Sequence, residues 1–146
     1  MSRKDGKGTM AEPLNKSISR EISDAKSQLR AIWPLFKKRF RERTGNELIL
    51  TCTYRSIKEQ QILYAQGRTT TGRIVTWVDG VKKKSNHNYY PSRAIDVAVV
   101  VGGKISWAED DYKPIGLLCR EMGLVWGGYF KDGKKDMPHI ELPENA

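Results

Sequence analysis

Residues 94–101 read AIDVAVVV. A run this short, this rich in β-branched residues and followed by Gly102-Gly103 predicts a strand over Ala94–Val101, a turn, and a returning strand over Lys104–Trp107. The run also carries a carboxylate, and a carboxylate inside an apolar strand is costly unless it is paired or holds a metal. Strand alternation puts Asp96 on one face with Ala94 and Ala98, and Ile95, Val97 and Val99 on the other. The expectation is a sheet with one face in the core and the small-residue face turned to a cleft.

The flanking sequence fills in the class. Glu47–Thr53 (ELILTCT) predicts a buried strand, and Leu124–Trp126 and His139–Leu142 two more short ones. Ser56 and Glu59 have capping-box spacing and predict a helix over 57–66, closed by Gly67. Glu109, Asp110 and Asp111 precede a helix that carries Tyr112, Ile115, Leu118, Cys119 and Met122 and ends at Gly123; acidic residues suit a helix N-terminus. Apolar residues from Ser17 onward recur at helical spacing (Ile18, Ile22, Ala25, Leu29, Ile32). Pro34 interrupts them, so a first helix is expected to end near Ala31 and a second to run from Pro34 to Arg43. Helices come first and strands dominate later. This is the order of an α+β fold, a helical N-terminal lead-in packed on a small, mainly antiparallel sheet. With 146 residues, one domain over 15–146 is expected, preceded by a flexible basic arm over 1–14.

Charge is uneven. The chain carries +9, of which residues 1–45, with 12 Lys/Arg against 5 Asp/Glu, hold +7. A basic front end favours anionic partners, or it is a solvated helix and tail. A nucleic-acid-binding module without catalysis is one reading of it, but the sequence lacks a recognisable DNA- or RNA-reading motif. The N-terminus is polar, without the apolar stretch of a secretory signal, and no apolar run is long enough to cross a membrane. Cys52 and Cys119 fit no short metal-binding spacing and are expected to be buried like small hydrophobes, with no disulfide.

His87 and His139 are the only histidines. His87 lies in SNHNYYPSRAIDV, nine residues before Asp96; His139 opens a strand in DMPHIEL, three residues after Asp136. A catalytic zinc site needs three protein ligands and an open position, and His87, Asp96 and His139 supply that number. A nearby carboxylate not bound to the metal can take a proton from water. Asp136 is one candidate and Glu141 its rival, since period 2 places Glu141 on the same strand face as His139.

Four segments carry a resemblance: TYRSIKEQQILYAQGRTTTGRIVT at 53–76, SNHNYYPSRAIDVAV at 85–99, GLLCREMGLVWGG at 116–128 and DMPHIEL at 136–142. In this order they resemble the zinc peptidases of the D-Ala-D-Ala carboxypeptidase and L-alanyl-D-glutamate endopeptidase family, closest to its bacteriophage endolysin branch. The resemblance implies the fold of that family and one Zn2+ per chain on His87, Asp96 and His139. It implies Asp136 as general base and then general acid, and Arg55 as the group that steadies the substrate carbonyl oxygen. It also implies Ser85, Gln60 and Trp126 as substrate-binding positions. Two departures stand out. The interval from His87 to Asp96 is longer than the family's commonest one, with Pro91-Ser92 where a glycine is usual, and many relatives have Glu where this chain has Asp136.

The implied activity is cleavage of a stem-peptide bond in bacterial peptidoglycan, L-Ala–D-Glu as a phage lysin, or D-Ala-D-Ala with the same metal centre. A catalytically dead wall-peptide binder is disfavoured by the intact ligand set. The expected protein is a monomer that acts on peptidoglycan, has no specific nucleic-acid partner and does not insert into a membrane. It would wait in the host bacterial cytoplasm until it reaches the wall.

Overall fold

A computed structural model describes residues 16–146; the expected basic arm lies outside the described residues. Its chain order is α1 (Ser27–Thr44), β1 (Glu47–Cys52), α2 (Ile57–Ala65), β2 (Ala94–Val101), β3 (Lys104–Ser106), α3 (Glu109–Met122), β4 (Val125–Trp126) and β5 (His139–Glu141). Single 3-10 turns lie at Ile22–Asp24, Asn86–Asn88 and Gly127–Tyr129.

Among the described residues, five strands make one antiparallel sheet with β2 at its centre. β1 runs along one side of β2; the other side meets β5 in its first half and β3 in its second. β4 lies outside β5. This is the α+β arrangement expected, and the alternation along β2 holds. Ile95, Val97 and Val99 join the apolar core with Leu29, Trp33, Phe36 and Phe40 of α1 and Tyr112, Ile115 and Leu118 of α3. Ala94 and Ala98 are buried on the other face, outside that cluster. The helices therefore cover one side of the sheet and leave the Asp96 side for chemistry.

Several local expectations match closely. The Ser56 hydroxyl accepts the Glu59 amide and starts α2. α3 ends at Gly123, in the left-handed conformation that glycine takes without strain. Both cysteines are free and buried. No helix among the described residues is long and apolar enough to cross a membrane.

The lead-in differs from expectation in two ways. First, α1 runs unbroken through Pro34. A proline there removes the bond to the Arg30 carbonyl and crowds it. The helix persists because buried side chains at 29, 33, 36 and 40 anchor it on both sides of the proline, while Pro34 itself faces solvent. Second, helix does not begin at Ser17. The amide of Ser19 bonds to Tyr54 O, that of Thr53 to Ser19 O and that of Ser56 to Ser17 O, so this stretch runs extended beside residues 53–56. Asp24 is buried where the stretch turns toward α1, bonded by Lys16 Nζ, Ser19 Oγ and Tyr90 Oη. Burial alone would raise its pKa; these three donors outweigh that and lower it.

Because Pro34 costs helix energy without packing in the core, Pro34→Ala is expected to raise stability by about 1–2 kcal/mol. That is the interior-proline penalty less the unfolded-state entropy that proline removes. Urea unfolding followed by circular dichroism checks this; an unchanged midpoint would mean that α1 has already relaxed around the proline.

Candidate metal centre

Sheet register builds the first half of the site. Asp96 faces Cys52 across β1 and His139 across β5, so all three share one row and one face. Cys52 reaches that row through an irregularity between Leu50 and Cys52: continued pairing from Leu50 and Val97 would set Thr51 there, and the extra residue substitutes the cysteine.

His87 comes from the loop. Its 3-10 turn is capped by Ser85, whose hydroxyl accepts the His87 amide while Asn88 Oδ1 accepts the Ser85 amide. The long interval from His87 to Asp96 is absorbed by bonds to the lead-in: the Ser92 amide donates to Asp24 O, the Lys26 amide donates to Ser92 O, and the Tyr90 hydroxyl donates to Asp24.

These parts converge on one oxygen. Asp96 Oδ1 is 3.1 Å from His87 Nε2 and 3.2 Å from His139 Nδ1. Each imidazole is held through its other nitrogen: His87 Nδ1 lies 2.7 Å from Thr53 O, and His139 Nε2 lies 2.7 Å from Glu141 Oε1. Those outer contacts fix each ring, so that His87 Nε2 and His139 Nδ1, which hold protons against Asp96 here, are the nitrogens an ion would take in place of those protons; this is the outer-shell support that metal-ligating histidines use. Neighbouring ligands on a tetrahedral zinc with bonds near 2.0–2.1 Å sit about 3.3 Å apart; the two Asp96–imidazole distances match that spacing, while His87 and His139 each join Asp96 in a separate group of potential ligands. Cys52, His87 and Asp96, and likewise Asp96, Asp136 and His139, place potential ligand atoms within 4.8 Å of one another.

Electrostatics follow from the burial. Burial pushes both histidines down, but the Asp96 carboxylate prevails and raises His87 to about 10 and His139 to about 9. The same pairing overcomes desolvation of Asp96 and holds it well below the usual carboxylate range. Asp136 stands at the solvent-exposed rim. Desolvation of its carboxyl, and then the Asp96 charge, raise its pKa. Glu141, spent on His139, is lowered by that contact despite its burial. The structure thus separates the rival carboxylates: Glu141 backs a histidine, while Asp136 faces the cluster from outside.

Arg55 enters from the side. Its Nη2 is 3.5 Å from Asp96 Oδ2 and 3.7 Å from Cys52 Sγ, and its Nη1 donates to Gln60 Oε1 at 3.0 Å. Three expected substrate-binding positions look different in three dimensions. Gln60 is fully buried, and a side chain without exposure cannot line a cleft; its amide is consumed by Arg55, Thr76 and Val78. Trp126 is 4% exposed and packs in the core, its Nε1 donating to Met137 O. It anchors the segment that carries His139. Ser85 is half-buried and caps the His87 turn. Gly127 matters for another reason: a Cβ there would sit 2.2 Å from Asp136 O and 2.8 Å from His139 Cβ, so only glycine lets the two segments close. Cys52 is the neighbour that sequence reasoning missed; its signal was its place at the end of a strand that pairs with the Asp96 strand.

Known proteins share parts of this sequence and fold. A family model described as D-alanyl-D-alanine carboxypeptidase matches residues 79–142, the span that holds His87, Asp96, Asp136 and His139. The peptidoglycan L-alanyl-D-glutamate endopeptidase CwlK of Bacillus subtilis (strain 168) is 37% identical over 111 residues, 69% of this chain and 64% of that protein. The chain therefore spans somewhat less than two thirds of that relative. The crystal structure of the Serratia marcescens L-Ala D-Glu endopeptidase ChiX superposes with a TM-score of 0.53 at 24% identity, covering 87% of this chain and 92% of that one; at that identity the likeness speaks for the fold. Over residues 79–142 the chain is thus similar in sequence to the family described as D-alanyl-D-alanine carboxypeptidase, and it shares its fold with ChiX.

Proposed function

We propose that this protein is a zinc-dependent peptidase that hydrolyses a stem-peptide bond of bacterial peptidoglycan, and that the bond is L-Ala–D-Glu. The observation that carries the reading is the single Asp96 oxygen flanked by two imidazole nitrogens, each imidazole fixed from behind, with a second carboxyl beside them. The choice of bond is supported by the activities for which CwlK and ChiX are named. Cleavage of D-Ala-D-Ala is the second reading, supported by the description of the family model. A lysin role, in which a monomer waits in the host cytoplasm for access to the wall, belongs to the same proposal and rests on the resemblance to bacteriophage relatives.

His87, Asp96 and His139 would hold the ion. Zinc bound there would supply Lewis acidity for a peptide carbonyl and would make a water molecule more acidic. The chain's own groups do the rest. Asp136, exposed and raised in pKa, takes a proton from the attacking water and returns it to the leaving amine. Arg55 places a cation on the Asp96 side of the cluster, where negative charge on the carbonyl oxygen needs stabilising. Thr53 O and Glu141 keep each imidazole in one tautomer and one orientation.

Four outcomes are expected. Asp136→Asn should lower cleavage of purified peptidoglycan by at least about 100-fold while zinc content stays at one per chain; full activity in that variant would remove Asp136 from the reaction. Mass spectrometry of the digest should show new D-Glu amino termini, whereas free D-Ala would move the enzyme to the carboxypeptidase reading. For the metal itself, protons and zinc compete for His87 and His139. Since both histidines hold protons up to about 9 or 10, zinc uptake by chelator-treated protein should release protons, and affinity should rise with pH throughout the range below about 9. Glu141→Ala, which frees His139 Nε2, should weaken zinc binding by about 10- to 100-fold. Calorimetry in buffers of different ionisation enthalpy measures both effects.

A further inference from the structure

The sequence places Gln60 one turn into α2, five residues after Arg55. Its side chain is fully buried among polar partners. Oε1 accepts Arg55 Nη1 at 3.0 Å and lies 3.5 Å from Asn88 Nδ2. Nε2 donates to Thr76 Oγ1 at 3.0 Å and to Val78 O at 2.9 Å. Both lone pairs and both N–H groups of the amide are thus engaged. Its orientation is fixed chemically: guanidinium only donates and the Val78 carbonyl only accepts, so the amide cannot flip without opposing like groups.

Arg55 is tied to the same place by its backbone. Its amide donates to His87 O, and its carbonyl accepts Asn88 Nδ2 at 2.9 Å. Only the guanidinium has freedom left, and it lies beside a carboxylate. An unrestrained arginine there would pair with both oxygens of Asp96, fork to fork. The observed contact is instead a single one of 3.5 Å to Oδ2, with Oδ1 left to the two histidines.

We propose that Gln60 is a positioning residue: by holding Arg55 Nη1 it keeps the guanidinium from closing onto Asp96, leaving the carboxylate to the histidines and the arginine cation for the substrate oxygen. Through Thr76 and Val78 the same amide seats the segment that continues to Gly80, where an added Cβ would come within 2.9 Å of Gln60 Cγ. Gln60 has no exposure and so touches no substrate; it acts through Arg55.

The proposal rests on the peptidase reading for its kinetic arm, and a second arm stands apart from activity. In the zinc-loaded protein, Gln60→Met, which keeps volume and deletes the amide, should lower kcat on peptidoglycan by about 10- to 100-fold. In an Arg55→Ala background the same change should cost less than about twofold, because the residue it positions is gone. Gln60→Glu keeps the acceptor for Arg55 and loses the donors to Thr76 Oγ1 and Val78 O; it should recover most of the lost kcat, which a mere anchor for residues 76–78 would not. Independently, the Arg55 Nε–H signal in nitrogen-15 NMR should sharpen in wild type and Gln60→Glu and broaden or vanish in Gln60→Met. Equal losses in both backgrounds, a Glu variant as impaired as Met, or an unchanged Arg55 signal would each overturn the proposal. If Gln60→Met does not fold, the Glu variant's kcat and Arg55 signal decide the matter alone. A wild-type protein that leaves peptidoglycan intact would sink the peptidase reading, while the NMR arm would still judge Gln60.

Discussion

The Asp96 carboxylate is carried on the central strand of a sheet and is largely withdrawn from water, with 19% of its side chain exposed. Such a charge survives only if opposite charge and hydrogen bonds replace the lost solvent. Three cationic or proton-bearing groups do so, His87, His139 and Arg55, and each comes from a different segment. The loop before β2, the strand β5 and the turn before α2 are all brought to the same point. The apolar face of β2 supplies the counterweight: Ile95, Val97 and Val99 lock the strand to α1 and α3, so the polar face has a rigid base.

Around that carboxylate the molecule is organised in two shells. The inner groups face Asp96, and the outer ones fix them: Thr53 O and Glu141 for the imidazoles, Ser85 and Asn88 for the turn of His87, Gln60 for the arginine, Trp126 for the approach to His139. The supporting residues are polar and mostly buried. One of them, Gln60, looks like a ligand contact when read as a letter near Arg55. Burial separates the roles. An outer residue works through the orientation of its neighbour, an inner one through its own lone pair or charge.

Much of this was legible in the sequence where local chemistry and tertiary packing agree. β2 could be placed to the residue from its β-branched run and its glycine pair, and α2 from the Ser56 cap, because nothing elsewhere competes with those signals. The meeting of His87 and His139 at Asp96 was legible because a chain with two histidines places both in polar segments beside strands, and because an aspartate inside an apolar strand demands a partner. What could not be read depended on partners distant in sequence. Pro34 signals a break, yet Trp33 and Phe36 on either side of it bury enough surface to carry the helix through. Ile18 and Ile22 have helical spacing, but residues 17–19 find backbone partners at 53–56 and extend. Cys52 enters the Asp96 row only because of a one-residue irregularity in β1 that its own sequence does not announce.

The segment between Trp126 and His139 is closed at its base. The Asp136 amide bonds to Gly127 O at 2.9 Å, and Trp126 Nε1 bonds to Met137 O at 2.7 Å. The intervening residues, Phe130–Lys135, leave from that clasp and return to it. Loop-closure entropy grows slowly with length, about 0.6 kcal/mol for each doubling. The length of this excursion between Phe130, which packs on the His139 ring, and Lys135, which pairs with Glu109, is therefore nearly uncoupled from the position of Asp136, and descendants of such a chain are free to lengthen or shorten its middle while inheriting the chemistry.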